Sequence, residues 1–266
     1  MNTLRKFLIL GTSALALLSV AVSSAAQTPA PAAPTAAAAP ASAPGMDWPP
    51  AGGPNFTEPK ETAPRTLAPY FTPATAAPKT PDADGFLQRW LLLEPIVKPN
   101  RSNDVFVGTY VRKTLNTEYF PNQFTVLPHN GDKVTVADKE LAWHALDTAN
   151  FNVKLFRFAY GLNKPTYGVI FWAVTVINSP RELKNVRLAV GSNSASMWWL
   201  NGKEAARLYD DRRMKMDDVV SPRLTLNKGK NILRGAVING PGMSDFCVRL
   251  IDENGDPVKG ITTSVE

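Results

Sequence analysis

In Met197-Trp198-Trp199-Leu200-Asn201-Gly202-Lys203, a run of large apolar residues stops at Asn-Gly and resumes with a charge. Both central positions of a two-residue type I′ turn need positive φ, which Asn and Gly adopt at low cost. The stretch therefore reads as a β-hairpin. Side chains alternate between the two faces of a strand, so Trp198 shares a face with Leu200, and Met197 with Trp199. One pair belongs to a core. The other forms a second apolar face, either covered by another element or open to a ligand.

Outward from the hairpin, strand signals continue in both directions. Residues 186–190 and 196–200 lead into the turn, and 231–238 and 245–251 alternate as late strands. Residues 167–177 hold valine, isoleucine, phenylalanine and tryptophan without a break, which suits a strand buried on both faces. Upstream, 86–96 is an apolar run ended by Pro95 and Pro99. Residues 123–127, 133–136 and 141–146 are short runs of strand type, broken by Asn130-Gly131 and by 137–139. Residues 227–230 and Asn254-Gly255 mark further turns. Residues 104–115 are the one clear helical candidate, with Ser102 or Asn103 as cap. Many short strands at this spacing predict an all-β fold, an antiparallel β-sandwich with at most one or two short helices.

The N-terminal third is of another kind. Arg5 and Lys6 precede a 16-residue uncharged stretch, 7–22, shorter than the ~20 residues of a spanning helix. Ser24-Ala25-Ala26 then supplies small residues for cleavage. Residues 1–26 read as a signal peptide, and no cysteine follows to carry a lipid, so the mature chain is expected to be periplasmic or secreted, with no membrane span after cleavage. Residues 27–84 hold 14 of the 23 prolines and are rich in alanine. Proline removes backbone donors and alanine buries little area, so this zone is expected to be a disordered linker. The folded unit is then 85–266. It keeps the whole net charge of +6, but its Lys and Arg are scattered. A nucleic-acid site would need a clustered footprint, so none is expected. A modest positive balance fits attraction to anionic glycans or envelope surfaces.

Around the hairpin lies an ordered series. Ser179-Pro180 is followed by Val186-Arg187-Leu188-Ala189-Val190-Gly191-Ser192-Asn193, then the Trp-Leu-Asn-Gly hairpin, then Leu224, Leu226, Lys228-Gly229-Lys230-Asn231 and Leu233. This order resembles the galactose-binding-like jelly-roll domains that accompany polysaccharide-degrading enzymes, most clearly over 168–251. The resemblance implies a jelly-roll sandwich and a glycan ligand. Related domains with calcium hold it by adjacent aspartates. Here Asn193-Ser194 stands in that loop, and a hard cation prefers carboxylates, so neither calcium nor any other cofactor is carried over.

Catalytic constellations are sparse. One cysteine and two histidines exclude a disulfide scaffold and multi-cysteine metal sites. No Gly-x-Ser-x-Gly occurs in the mature chain. His129 falls in a turn and His144 in a strand, with Asp147 three residues on. Ser244-Asp245 reads as a turn before a strand, and Cys247 as a buried apolar thiol. A glycosidase needs two carboxylates at roughly 5–10 Å, and Glu94, Glu140 and Asp147 are candidates. For Glu94 the simpler expectation is a salt bridge to Arg89 or Arg187. No residue is assigned a catalytic role.

Sugar recognition needs an aromatic platform and planar polar groups. Trp199, Tyr209, Asn193, Asn201, Asp210, Arg212 and Arg213 are the candidates. Trp90, Trp143 and Trp172 are assigned to the core. The sequence thus points to a noncatalytic carbohydrate-binding accessory module, serving a separate secreted glycan-degrading enzyme. A polysaccharide-acting hydrolase, such as an acetyl esterase, and a protein-binding envelope protein stand as alternatives.

Overall fold

The computed structural model describes residues 64–98, 108–209, 212–239 and 243–266. Along the chain run β1 (Phe71–Pro73), β2 (Arg89–Leu93), β3 (Ile96–Val97), α1 (Gly108–Leu115), β4 (Lys133–Val136), β5 (Lys139–Thr148), α2 (Leu155–Gly161), β6 (Val169–Ser179) and β7 (Leu183–Ser192). Then follow β8 (Ala195–Leu200), β9 (Lys203–Leu208), β10 (Val219–Val220), β11 (Leu224–Leu226), β12 (Gly229–Ile238), β13 (Phe246–Ile251) and β14 (Thr262–Ser264). The strands make two sheets. The large one runs β1-β5-β2-β6-β12-β8-β9, with β4 on β5 and with β3 and β14 on β6. In the small one, β7 has β10 and β11 on one edge and β13 on the other. Every pairing is antiparallel, and the fold is an all-β sandwich.

The unbroken apolar run becomes β6, at the centre. One of its edges is paired to β12 along nearly its full length, and the other is shared by β3, β2 and β14. With both edges and both faces covered, only one of its residues is not buried. The hairpin forms as expected: Asn201 and Gly202 have φ of 51° and 78°, and Leu200 pairs with Lys203. Trp198 and Leu200 enter the core between the sheets. There Trp90, Trp198 and Phe246 meet edge to face, with centroids 5.0–6.0 Å apart. The Trp198 ring lies where a Cβ on Gly235 would be, so only glycine fits at that point of β12.

Met197 and Trp199 face the other way, into a second core on the outer side of the large sheet. Its lid is the segment from α1 to β4, which places Val111, Leu115, Phe120 and Phe124 over the sheet. Trp172 and Trp199 stack at 5.6 Å, and Phe124 sets its edge against both, at 5.5 and 5.6 Å. Arg234, only 3% exposed, holds this lid. Its Nε donates to the Phe124 carbonyl at 3.1 Å and its Nη2 to that of Val126 at 2.8 Å. Burial pushes its guanidinium down to about 10.

Several expectations are corrected here. Residues 64–84 are not linker: Phe71 is buried, β1 pairs with β5, and Lys79 bridges to Thr263. Arg89 fastens this arm, donating to Asp147 at 2.8 and 3.0 Å, to Thr75 Oγ1 at 3.0 Å, and to the Ala77 carbonyl. Proline is tolerated in such an arm because an edge strand needs few of its donors. The expected signal peptide, 1–26, and the expected linker as far as residue 63 lie outside the described residues. Residues 123–127 form a turn and an irregular stretch, not a strand, with the Phe124 and Val126 carbonyls taken by the Arg234 guanidinium. The helix of 104–115 is described from Gly108, and its expected caps Ser102 and Asn103 lie outside the described residues. A second helix, α2, escaped notice: it is seven residues long, aromatic-rich, and has no side-chain cap. No helix among the described residues is long and apolar enough to cross a membrane.

Candidate functional site

The sequence candidates divide between the two ends of β8. At the hairpin end, Trp199 is 8% exposed, with Trp172 and Phe124 against its ring. This corrects the expectation of an open platform: the lid has taken the surface a sugar would use. Asn201 spends its side chain on the turn, donating to Asn231 Oδ1 at 2.8 Å and accepting from the Ile232 amide at 2.9 Å. At the other end, Asn193, Tyr209 and Arg212 come together. Asn193 Oδ1 accepts from the Met214 amide at 3.0 Å, and the Arg212 carbonyl accepts from Ser194 N at 2.9 Å. Arg212 also pairs with Asp218 at 2.6 Å. Tyr209 is half-buried, with Arg112 and Arg207 at 5.0 and 5.6 Å from its ring centre. Arg213 is exposed, and Asp210 lies outside the described residues.

Asp245 adjoins Asn193 at this second end: its backbone carbonyl accepts from the Asn193 amide at 2.9 Å. Asp245 is 6% exposed. One carboxylate oxygen takes Lys154 Nζ at 2.6 Å and Asn152 Nδ2 at 3.2 Å, and the other has no partner among the described residues. Burial raises its pKa above the usual aspartate value, against the pull of Lys154 and Arg157. Just before it in the chain, the Ser244 hydroxyl is fully buried and also without a partner among the described residues. The Ser244 carbonyl accepts from the Phe156 amide at 3.1 Å. Asn239, at the end of β12, gives its Nδ2 to the Thr166 carbonyl at 2.8 Å and leaves Oδ1 without a donor among the described residues. Beside them stand Phe156 and Tyr160, stacked at 6.2 Å, with the Tyr167 edge 5.8 Å from Phe156.

Three buried oxygens that lack donors thus gather at one end of the sandwich, with a lysine and an aromatic cluster. An unsatisfied buried polar group costs ~1–3 kcal/mol, and these three flank residues 240–242, which lie outside the described residues. The sequence reads Ser244-Asp245 as a turn before a strand. The only available signal was two polar residues immediately before a wholly apolar strand start.

The acid–base candidates are engaged elsewhere. Glu94 does not pair with Arg89 or Arg187, which corrects that expectation, since Arg89 is held by Asp147. It meets Lys164 at 2.8 Å and His144 Nε2 at 3.4 Å. Burial raises its carboxyl, but Lys164, the Ala142 backbone and His144 together hold it below the usual glutamate value. Glu140 pairs with Lys133 at 2.7 Å. The Cys247 thiol is buried, and that burial pushes it up to about 12, far from a nucleophile.

No family model matches the chain, and no curated protein does. Solved structures similar to it include a PA14 sugar-binding domain from an RTX adhesin, at 11% identity and a TM-score of 0.36, covering 66% of this chain and 96% of that one. Another is the PA14 domain of the MpAFP antifreeze protein, at 12% identity and a TM-score of 0.34, covering 72% and 96%. A third is the GH31 alpha-xylosidase of Xanthomonas citri, at 8% identity and a TM-score of 0.29, where the likeness covers 70% of this chain and 18% of the enzyme.

Proposed function

We propose that the chain is a noncatalytic glycan-binding module of the periplasm or the secreted fraction, of galactose-binding-like type, serving a separate glycan-degrading enzyme. The observation that carries this reading is the set of donor-less oxygens on Asn239, Ser244 and Asp245 at the loop end. A sugar presents hydroxyl donors in a fixed fan, which is what such a set lacks. Lys154 offers a donor in return. A glycosidase would need a carboxylate free to take or give a proton, and Lys164 and His144 both lean on Glu94. The N-terminal residues 1–26 support the compartment.

The test is a neutral-glycan array probed with the full chain, alongside assays for released acetate and reducing ends. Binding without release is expected. Asn239→Ala and Asp245→Asn should each weaken it by about tenfold or more, the worth of one hydrogen bond to a charged or buried group. Released product would overturn the noncatalytic reading, and binding untouched by both variants would remove the site.

A further inference from the structure

Four Asn-Gly pairs occur in the chain, at 130–131, 201–202, 239–240 and 254–255. In such a pair the backbone nitrogen after the asparagine can attack the side-chain carbonyl, because glycine has no Cβ to hinder the approach. The fold selects among them by what it gives each asparagine amide to hold. Asn201 has both side-chain atoms engaged, donating to Asn231 Oδ1 at 2.8 Å and accepting from the Ile232 amide at 2.9 Å. Asn130 accepts from the Ala145 amide at 2.9 Å, and the Gly131 nitrogen donates to the Trp143 carbonyl at 2.8 Å. Asn239 is fully buried and gives its Nδ2 to the Thr166 carbonyl at 2.8 Å. Asn254 differs. It is exposed in the turn after β13, and its side chain has no partner among the described residues. The turn is anchored by another side chain: Asp252 Oδ1 accepts from the Asn254 amide at 2.8 Å and the Asp256 amide at 3.0 Å. The Gly255 nitrogen donates to the Asp252 carbonyl at 3.2 Å, a longer bond than its counterpart at Gly131. A Cβ on Gly255 would meet nothing within 4 Å, but the same holds at Gly131 and Gly202. Tethering of the asparagine, and not open space, therefore separates the exposed pairs.

We propose that Asn254-Gly255 is a site of spontaneous deamidation, the one Asn-Gly pair whose asparagine the fold leaves untethered. The Gly255 nitrogen gives its proton to solvent and bonds to Asn254 Cγ. The Cγ–Nδ2 bond breaks, ammonia leaves, and a five-membered succinimide closes. Water then opens either carbonyl of the ring, which yields aspartate or, with the main chain rerouted through the side chain, isoaspartate. Either product adds a carboxylate to a turn that already holds Asp252, Glu253 and Asp256. Isoaspartate also lengthens the main chain by a methylene, inside a turn whose two bonds to Asp252 depend on its present spacing.

The experiment ages the full chain at mildly alkaline pH, folded and in denaturant. Peptides are then mapped by mass spectrometry, with isoaspartate counted by enzymatic carboxyl methylation. In the folded chain, Asn254 should convert about tenfold or more faster than Asn130, Asn201 or Asn239, since each of those must first break a hydrogen bond. In denaturant the four should convert at similar rates, because glycine follows each. Asn254→Gln should remove the early product, because a glutamine would have to close a six-membered ring. That side chain holds nothing in the fold, so the variant should fold as the parent does. Conversion at any of the other three as fast as at Asn254 would overturn the proposal. A spread of rates in denaturant as wide as in the folded chain would overturn it too, by assigning the selection to sequence neighbours and not to the fold.

Discussion

Trp199 and Asp245 are the residues where local pattern and tertiary setting part company. Trp199 stands in a hairpin, on the face opposite Trp198, where sequence allows either cover or exposure. Its 8% exposure and its stacking on Trp172 make it core, so Trp199→Ala should cost about 3–5 kcal/mol in chemical denaturation. A loss below ~1 kcal/mol would mean that the ring is not packed. Asp245 and Glu94 should differ in the sign of their pH dependence. The folded pKa of Asp245 is raised, so ionisation opposes folding. Its contribution to stability should shrink as pH rises from the usual aspartate value through the folded one. The folded pKa of Glu94 is lowered. Its contribution is present above the usual glutamate value and should be lost as pH falls through the folded one. Unfolding of Asp245→Asn and Glu94→Gln between pH 3 and 8, each compared with the parent chain, should give opposite slopes. Slopes of the same sign would contradict the two environments.

At the scale of elements, the lid over the second core is the part most dependent on a single side chain. Arg234 ties two carbonyls of an irregular segment and has no acidic partner among the described residues. Replacing a buried cation by an apolar residue of similar length often changes global stability little. Arg234→Met is therefore expected to unfold at nearly the same denaturant concentration as the parent. Amides of 116–132 should nevertheless exchange faster, because their anchor has gone. Unchanged exchange there would show that the apolar contacts of Phe120 and Phe124 suffice. The β elements were readable where their signals are local: the Asn-Gly turn, the unbroken run of β6, and the alternation of β12. The segment 123–127 was not, since carbonyls among its β-type residues are taken by a guanidinium more than a hundred positions away. Helix α2 was hidden for a related reason. Its Leu155, Phe158 and Ala159 gain from the inter-sheet core the stability that a seven-residue helix without a side-chain cap lacks by itself.

For the whole molecule, the boundary of the folded unit is the main revision. A chain beginning at residue 85 loses the β1 ladder, the burial of Phe71, and two anchors of Arg89. It should be less stable than one beginning at 64 by about 2–4 kcal/mol, which thermal unfolding would show as a Tm lower by roughly 5–15 °C. Equal stability would return 64–84 to the linker. Composition and periodicity alone determined that this is an all-β sandwich with its hairpin at Asn201-Gly202, because turn chemistry and side-chain alternation act between near neighbours. Only the tertiary structure decided that Trp199 is covered, that the proline-rich arm belongs to the fold, and that Asn239, Ser244 and Asp245 meet at one end. Those outcomes depend on which distant segment occupies each face, and burial of that kind leaves no mark on the residues beside it in the chain.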